Sequence, residues 1–190
     1  MNYIVLDIET QKAFSDIDRR YLDQLGVSVV GIYQSKTNQY TAYEEKELSG
    51  LNQILSEASL MIGFNIKSFD YPVLQPHLEI PLQKLPTLDI LEEIKNALGH
   101  RVSLNSVAQA TLGKSKTGDG LEAIRLYKAG EIEKIKAYCL NDVQLTKEVY
   151  EYGLRHQSLH YLSKDGTQRL DVKVNWTPLP ASQTQEMFLF

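Results

Sequence analysis

Near its start the chain carries an apolar run, Ile4 to Leu6, that is broken by two carboxylates, Asp7 and Glu9, two positions apart. A strand places residues i and i+2 on one face, so both carboxylates should project together from its end. Val27 to Tyr33 (V-S-V-V-G-I-Y) and Gln39 to Tyr43 are rich in β-formers and flank a turn at Lys36 to Asn38, which reads as a hairpin. With the first strand they form an antiparallel three-strand unit. Between them, Gln11 to Gln24 is polar with scattered apolar residues and reads as a loop with a short helix.

The period then changes. Glu47 to Ala58 carries Leu48, Leu51, Ile54 and Leu55 at helical spacing, and Leu60 to Phe64 is a short apolar run suited to an interior parallel strand. Phe69 to Leu78 reads as a helix with Pro72 in its first turn, made short or kinked by Pro76. Thr87-Leu88 is a minimal strand. Asp89 to Leu98 is a helix with an acidic cap and a stop at Gly99, and Ser103 caps a second helix that ends at Gly113. Leu121 to Lys128 is a short helix. Glu131 to Tyr152 is the longest, with Ile132, Ile135, Cys139, Val143, Thr146 and Tyr150 along one stripe. Beyond Gly153, Leu159 to Leu162 and Leu170 to Val174 flank Asp165-Gly166, a hairpin signal, and Trp176 to Phe190 ends in the apolar M-F-L-F. Strands first, then alternating strands and helices, give an α/β domain with a mixed sheet over residues 1–152, followed by a C-terminal extension over 153–190.

Composition narrows the function classes. The 190 residues are 43% hydrophobic and 23% charged, as in an ordinary globular domain, and no apolar run approaches a membrane span. The single cysteine rules out an internal disulfide framework, and the start lacks the pattern of a secretory signal, so a cytoplasmic protein is expected. A net charge of −4 argues against broad binding to duplex backbone but not against gripping a few nucleotides. Lys95 to Lys136 is locally basic, with eight Lys or Arg against four Asp or Glu, but Lys114 and Lys116 read as a solvated loop ahead of a nucleic-acid clamp. His77, His100, His156 and His160 have no metal-ligand spacing.

Three acidic stretches carry the chemistry. The first is Asp7 with Glu9. The second is Asp70, in G-F-N-I-K-S-F-D, with Asn65 and Phe69 ahead of it after an interior strand. The third is Asp142, in Y-C-L-N-D on the long helix, with Tyr138 on the same face four residues earlier. A lone D-x-E is common by chance, and it gains meaning from the other two. Four carboxylates can hold two divalent cations, Mg²⁺ or Mn²⁺, in the arrangement that stabilises the attacking and leaving oxygens of phosphodiester cleavage. A phenol beside them could orient or deprotonate a water. Asp89 is read as a helix cap that could also face the cleft, and Cys139 as packing.

D-x-E on a first strand, N-x-x-x-F-D in the middle and Y-x-x-x-D on a late helix resemble the DEDD 3′–5′ exonucleases, tyrosine (DEDDy) branch. L-P-T-L-D-I-L followed by G-H-R-V-S-L-N-S-V-A is similar to exonuclease domains of B-family DNA polymerases. The sister branch has a histidine five residues before the last aspartate; Ala137 stands there. The resemblance covers about Tyr3 to Tyr152. It implies an RNase H-like mixed five-stranded sheet, its first three strands antiparallel, flanked by helices. It also implies two divalent metal ions and a substrate with a single-stranded 3′ end, DNA or RNA, with DNA favoured. Asp7 would bridge the metals, Glu9 and Asp142 would complete one site, Asp70 would hold the second, and Tyr138 would position the water. Asn65 and Phe69 would support the terminal nucleotide. A catalytically silent binding or scaffolding module and an RNase H-like endonuclease are the alternatives.

Overall fold

The computed structural model describes residues 2–116, 118 and 120–176. Its centre is a five-stranded sheet. Strands β1 (Tyr3–Thr10), β2 (Val27–Gln34) and β3 (Gln39–Glu44) form an antiparallel meander, and β4 (Leu60–Gly63) and β5 (Thr87–Asp89) add in parallel on the other side of β1, giving the order β3-β2-β1-β4-β5. This is the mixed sheet that the sequence pattern predicts. β1 is central because its residues are apolar on both faces. Ile4, Leu6 and Ile8 enter one layer with α1 (Leu51–Ser56) and α2 (Asp70–Leu74), and Val5 enters the opposite layer. That second layer holds α3 (Ile90–Leu98), α4 (Leu104–Leu112) and α6 (Ile132–His156), with α5 (Gly120–Lys128) packed beside α6. By the period of two, Asp7 and Glu9 continue the face of Val5, under α6.

Gly31 permits the close approach of α6. It pairs with Asp7 across the β1–β2 ladder, and a Cβ there would lie 2.8 Å from Cys139 Sγ and 3.0 Å from Val143 Cγ2. The helix therefore lies directly over the strand that carries the first two carboxylates.

Three local expectations change. Glu47 to Ala58 is a 3₁₀ segment, Glu45–Gly50, followed by the short α1, because Ser49-Gly50 are weak helix formers. Gln11 to Gln24 contains two 3₁₀ turns, Phe14–Asp16 and Leu22–Leu25. The long helix runs through Gly153 to His156 and is closed by Gln157 in the left-handed region. Gly153 is a slot here, not a stop: a Cβ at that position would come within 2.2 Å of the Trp176 ring. That indole also stacks on Tyr150, with centroids 5.8 Å apart.

The hairpin β6 (Ser158–Leu162) and β7 (Arg169–Lys173) forms a separate two-stranded sheet. Leu159, Tyr161, Val172 and Val174 join the same apolar layer as α3, α4 and α6. Thr111 and Ser106 of α4 each exchange two hydrogen bonds with its backbone, at His160 and Leu162. The apolar M-F-L-F end falls outside the described residues.

Candidate active site

β1 pairs with β4 only from Tyr3 to Val5, so its last residues pass beyond the parallel neighbour. Asp70, the first residue of α2, fills that gap, and its buried carboxylate accepts hydrogen bonds from the Ile8 and Asp70 backbone N–H groups. Asp142 comes down from α6 on the other side, almost wholly buried at 1% exposure. The four carboxylates that the sequence singles out therefore meet in one cup at the ends of β1 and β4. Each of Asp70, Glu9 and Asp142 raises the proton affinity of Asp7 by its charge.

Electrostatics define the cup. Burial first and then the neighbouring carboxylates push Asp7 well above the usual range, Glu9 to about 8 and Asp70 to about 7, and burial also raises Asp142. Without a cation the site holds protons at neutral pH. The Asp142 Oδ1 atom is buried and has no hydrogen-bond partner among the described residues. Oxygens of Asp7 and Glu9 and the Cys139 sulfur lie within 4.8 Å of one another. Hard carboxylate oxygens, one of them orphaned, fit a Mg²⁺-like ion. Cys139 is not suited to be a ligand for such an ion. Its buried thiol is pushed well up, stays protonated, and lies 3.4 Å from the Asp7 backbone oxygen and 3.9 Å from its carboxylate as a donor.

Lys116 differs from its sequence reading. It is not a solvated loop lysine: its ammonium contacts Asp142 Oδ2 and lies 5.6 Å from the Tyr138 ring centroid. The surrounding carboxylates, Asp142 and Asp7 above all, outweigh its burial and hold it protonated. No periodicity marks such a residue, because the loop's return to the cup is a tertiary event. Lys114, by contrast, pairs with Glu148 on α6. Tyr138 is buried on the same face of α6 as Asp142, and its hydroxyl donates to the Gly118 carbonyl at 3.2 Å. Burial raises its phenol above the ordinary range, so it remains a phenol at neutral pH.

Asn65 and Phe69 border the cup from the β4–α2 connection. Asn65 has φ +72° and receives Arg101 on its side-chain oxygen at 2.8 Å. Asp89 fixes this turn from below. It accepts from the Asn65 and Lys67 N–H groups and caps α3 through Leu91 and Glu92, so it is both a cap and a support for the cleft wall. Phe69 is joined by a residue that the sequence pattern does not single out. Phe14 packs its ring 5.6 Å from that of Phe69, with the Arg19 guanidinium 5.4 Å from the Phe14 centroid. Phe14 is 42% exposed, and an exposed phenylalanine in a polar loop is the one clue to it.

Among the described residues no helix is long and apolar enough to cross a membrane. No curated protein matches the chain. A family model described as RNase_H superfamily matches residues 4–153, from the first strand through nearly all of α6, and so takes in every residue of the cup. Proteins of this superfamily are typically nucleases, generally dependent on divalent metals. The sheet order, the acidic cup and this match agree: the chain belongs to the RNase H superfamily.

Proposed function

We propose that the chain is a metal-dependent 3′–5′ exonuclease of the tyrosine DEDD branch, acting on single-stranded 3′ ends with DNA favoured. One observation carries the reading: Asp7, Glu9, Asp70 and Asp142 converge from three distant stretches beside Tyr138. The exonuclease domain would span residues 1–152, with 153–190 as an extension, and the protein would act in the cytoplasm.

Asp7, Glu9, Asp70 and Asp142 would be the carboxylates that hold two divalent ions. Bound, the ions supply positive charge to the scissile phosphate and favour ionisation of the attacking water. Tyr138 orients that water through its hydroxyl; a phenol held above its ordinary range is a hydrogen-bonding group and not a base. Water oxygen bonds to phosphorus as the bond to the 3′ oxygen of the penultimate nucleotide breaks. That oxygen takes a proton, and a 5′-mononucleotide leaves. Asn65 and the Phe69–Phe14 pair would hold the terminal nucleotide, its base against an aromatic face.

A 5′-labelled single strand incubated with Mg²⁺ or Mn²⁺ tests the reading. A ladder shortening one nucleotide at a time, abolished in Asp142→Ala with its fold intact by circular dichroism, is the expected result. Persistence of the full-length strand, with either metal and with DNA or RNA, would overturn it.

A further inference from the structure

Arg101 does more than hold Asn65. It opens a crevice of about 380 Å³ that runs away from the cup between the start of α4 and the turn of the β6–β7 hairpin. The polar side chains along it are His100, Arg101, Ser103, Ser106, Ser163 and Lys164, and its apolar floor includes Tyr161. Among the described residues no carboxylate lines it, although the whole chain carries 24 acidic against 20 basic residues; Asp165 stands next to that lining, accepting from the Ser163 hydroxyl at 2.5 Å. Among the described residues neither Arg101 nor Lys164 has an acidic partner. The two walls are held in register by Ser106 Oγ, which bonds to both the N–H and the carbonyl of Leu162, so the crevice is a built feature of the fold. The His100 ring meets Tyr161 edge-on, with centroids 6.0 Å apart, and both rings belong to the lining.

Two cations, several hydroxyls and two aromatic rings lining one crevice match the chemistry of a single-stranded nucleic acid, which offers phosphates and bases but no fixed groove. The volume is of small-ligand size, on the scale of one nucleotide. Continuity with the cup comes from the Arg101–Asn65 contact: one guanidinium belongs to the crevice and to the wall of the terminal-nucleotide site at once.

We propose that this crevice is a second subsite for the strand, holding an internal phosphate and base upstream of the 3′ end. Only the direction of the strand rests on the exonuclease reading; binding does not. The subsite makes the hairpin a part of the substrate surface, so that strands long enough to span both places bind more tightly than short ones.

The test is anisotropy of labelled oligothymidylates of three and ten nucleotides, with oligouridylates in parallel, for wild type, Lys164→Glu and Lys173→Glu, with Ca²⁺. Lys173 lies at the opposite end of the same hairpin, paired with Ser158, and controls for the charge change. The expected result for Lys164→Glu is about a fivefold or greater loss of ten-mer affinity and a salt slope lower by about one. Its trimer affinity and Lys173→Glu should match wild type. The subsite is overturned by a ten-mer affinity of Lys164→Glu within twofold of wild type, by an equal loss in Lys173→Glu, by equal losses for both lengths, or by no strand binding in wild type. A protein that shows the expected pattern yet releases no nucleotide with Mg²⁺ or Mn²⁺ would overturn the nuclease reading alone.

Discussion

Glu9→Gln should stabilise the metal-free protein at pH 8 and do little at pH 5. Glu9 is 7% exposed, and burial and then the charge of Asp142 move its carboxyl from 4.5 to about 8. A folded-state value above the unfolded one means that the folded chain binds more protons between the two, so stability falls as pH rises across that window and levels off above it. For Glu9 alone, a rise from 4.5 to about 8 corresponds to about 4 kcal/mol lost at pH 8 relative to acid pH. Asp7, Asp70 and Asp142 share the same field, and Lys116 offsets part of it, so an uncharged amide should recover about 1–2 kcal/mol, or about 3–8 °C in Tm. Scanning calorimetry in EDTA at pH 5 to 8 would show the wild-type Tm falling with pH and that of the variant falling less steeply, since Asp7 and Asp70 still titrate there. Adding Mn²⁺ at pH 8 should raise the wild type more than the variant, because the ion replaces the protons. A wild-type Tm flat or rising across this range, with the variant less stable at pH 8, would refute the account of the cup.

Gly31→Ala should lower stability by about 1–3 kcal/mol, since its methyl group meets Cys139 and Val143 at 2.8 and 3.0 Å; chemical denaturation would read this as a lower midpoint. Tyr138→Phe should lower kcat by about tenfold or more with KM nearly unchanged, because the hydroxyl that orients the attacking water is lost while the ring stays in place; its 3.2 Å bond to the Gly118 carbonyl goes as well. Asp89→Ala strands two N–H groups of the Asn65 turn and removes the α3 cap, a loss of about 2–4 kcal/mol visible in urea unfolding. Phe14→Ala should raise KM for single strands with little effect on kcat, by the about 1–3 kcal/mol of a base–aromatic stack.

Legibility in the sequence followed the range of the interactions. β1, β2 and the Asp89 and Ser103 caps depend on local pattern and are where the residue order puts them. The carboxylates were legible because an acid beside an apolar strand, or on the apolar stripe of a helix, has to be balanced by something. Lys116 was not, because its only local signal is a polar, glycine-containing loop, and that loop reaches Asp142 through a contact spanning 26 positions. Gly153 misled for a related reason: by composition it ends a helix, but its partner, Trp176, lies 23 residues on and needs the space a side chain would fill. Phe14 has no periodicity to place it, and its position against Phe69 exists only once the β1–β2 connection folds over α2.

The claim under all of this is that one acidic cup drives hydrolysis at a 3′ end. Linear and circular single strands, digested side by side by wild type and Asp7→Ala with Mn²⁺, test it most directly. The account predicts mononucleotides from the linear strand alone, an untouched circle, and no product from Asp7→Ala. A nicked circle, or undiminished release by Asp7→Ala, would contradict it.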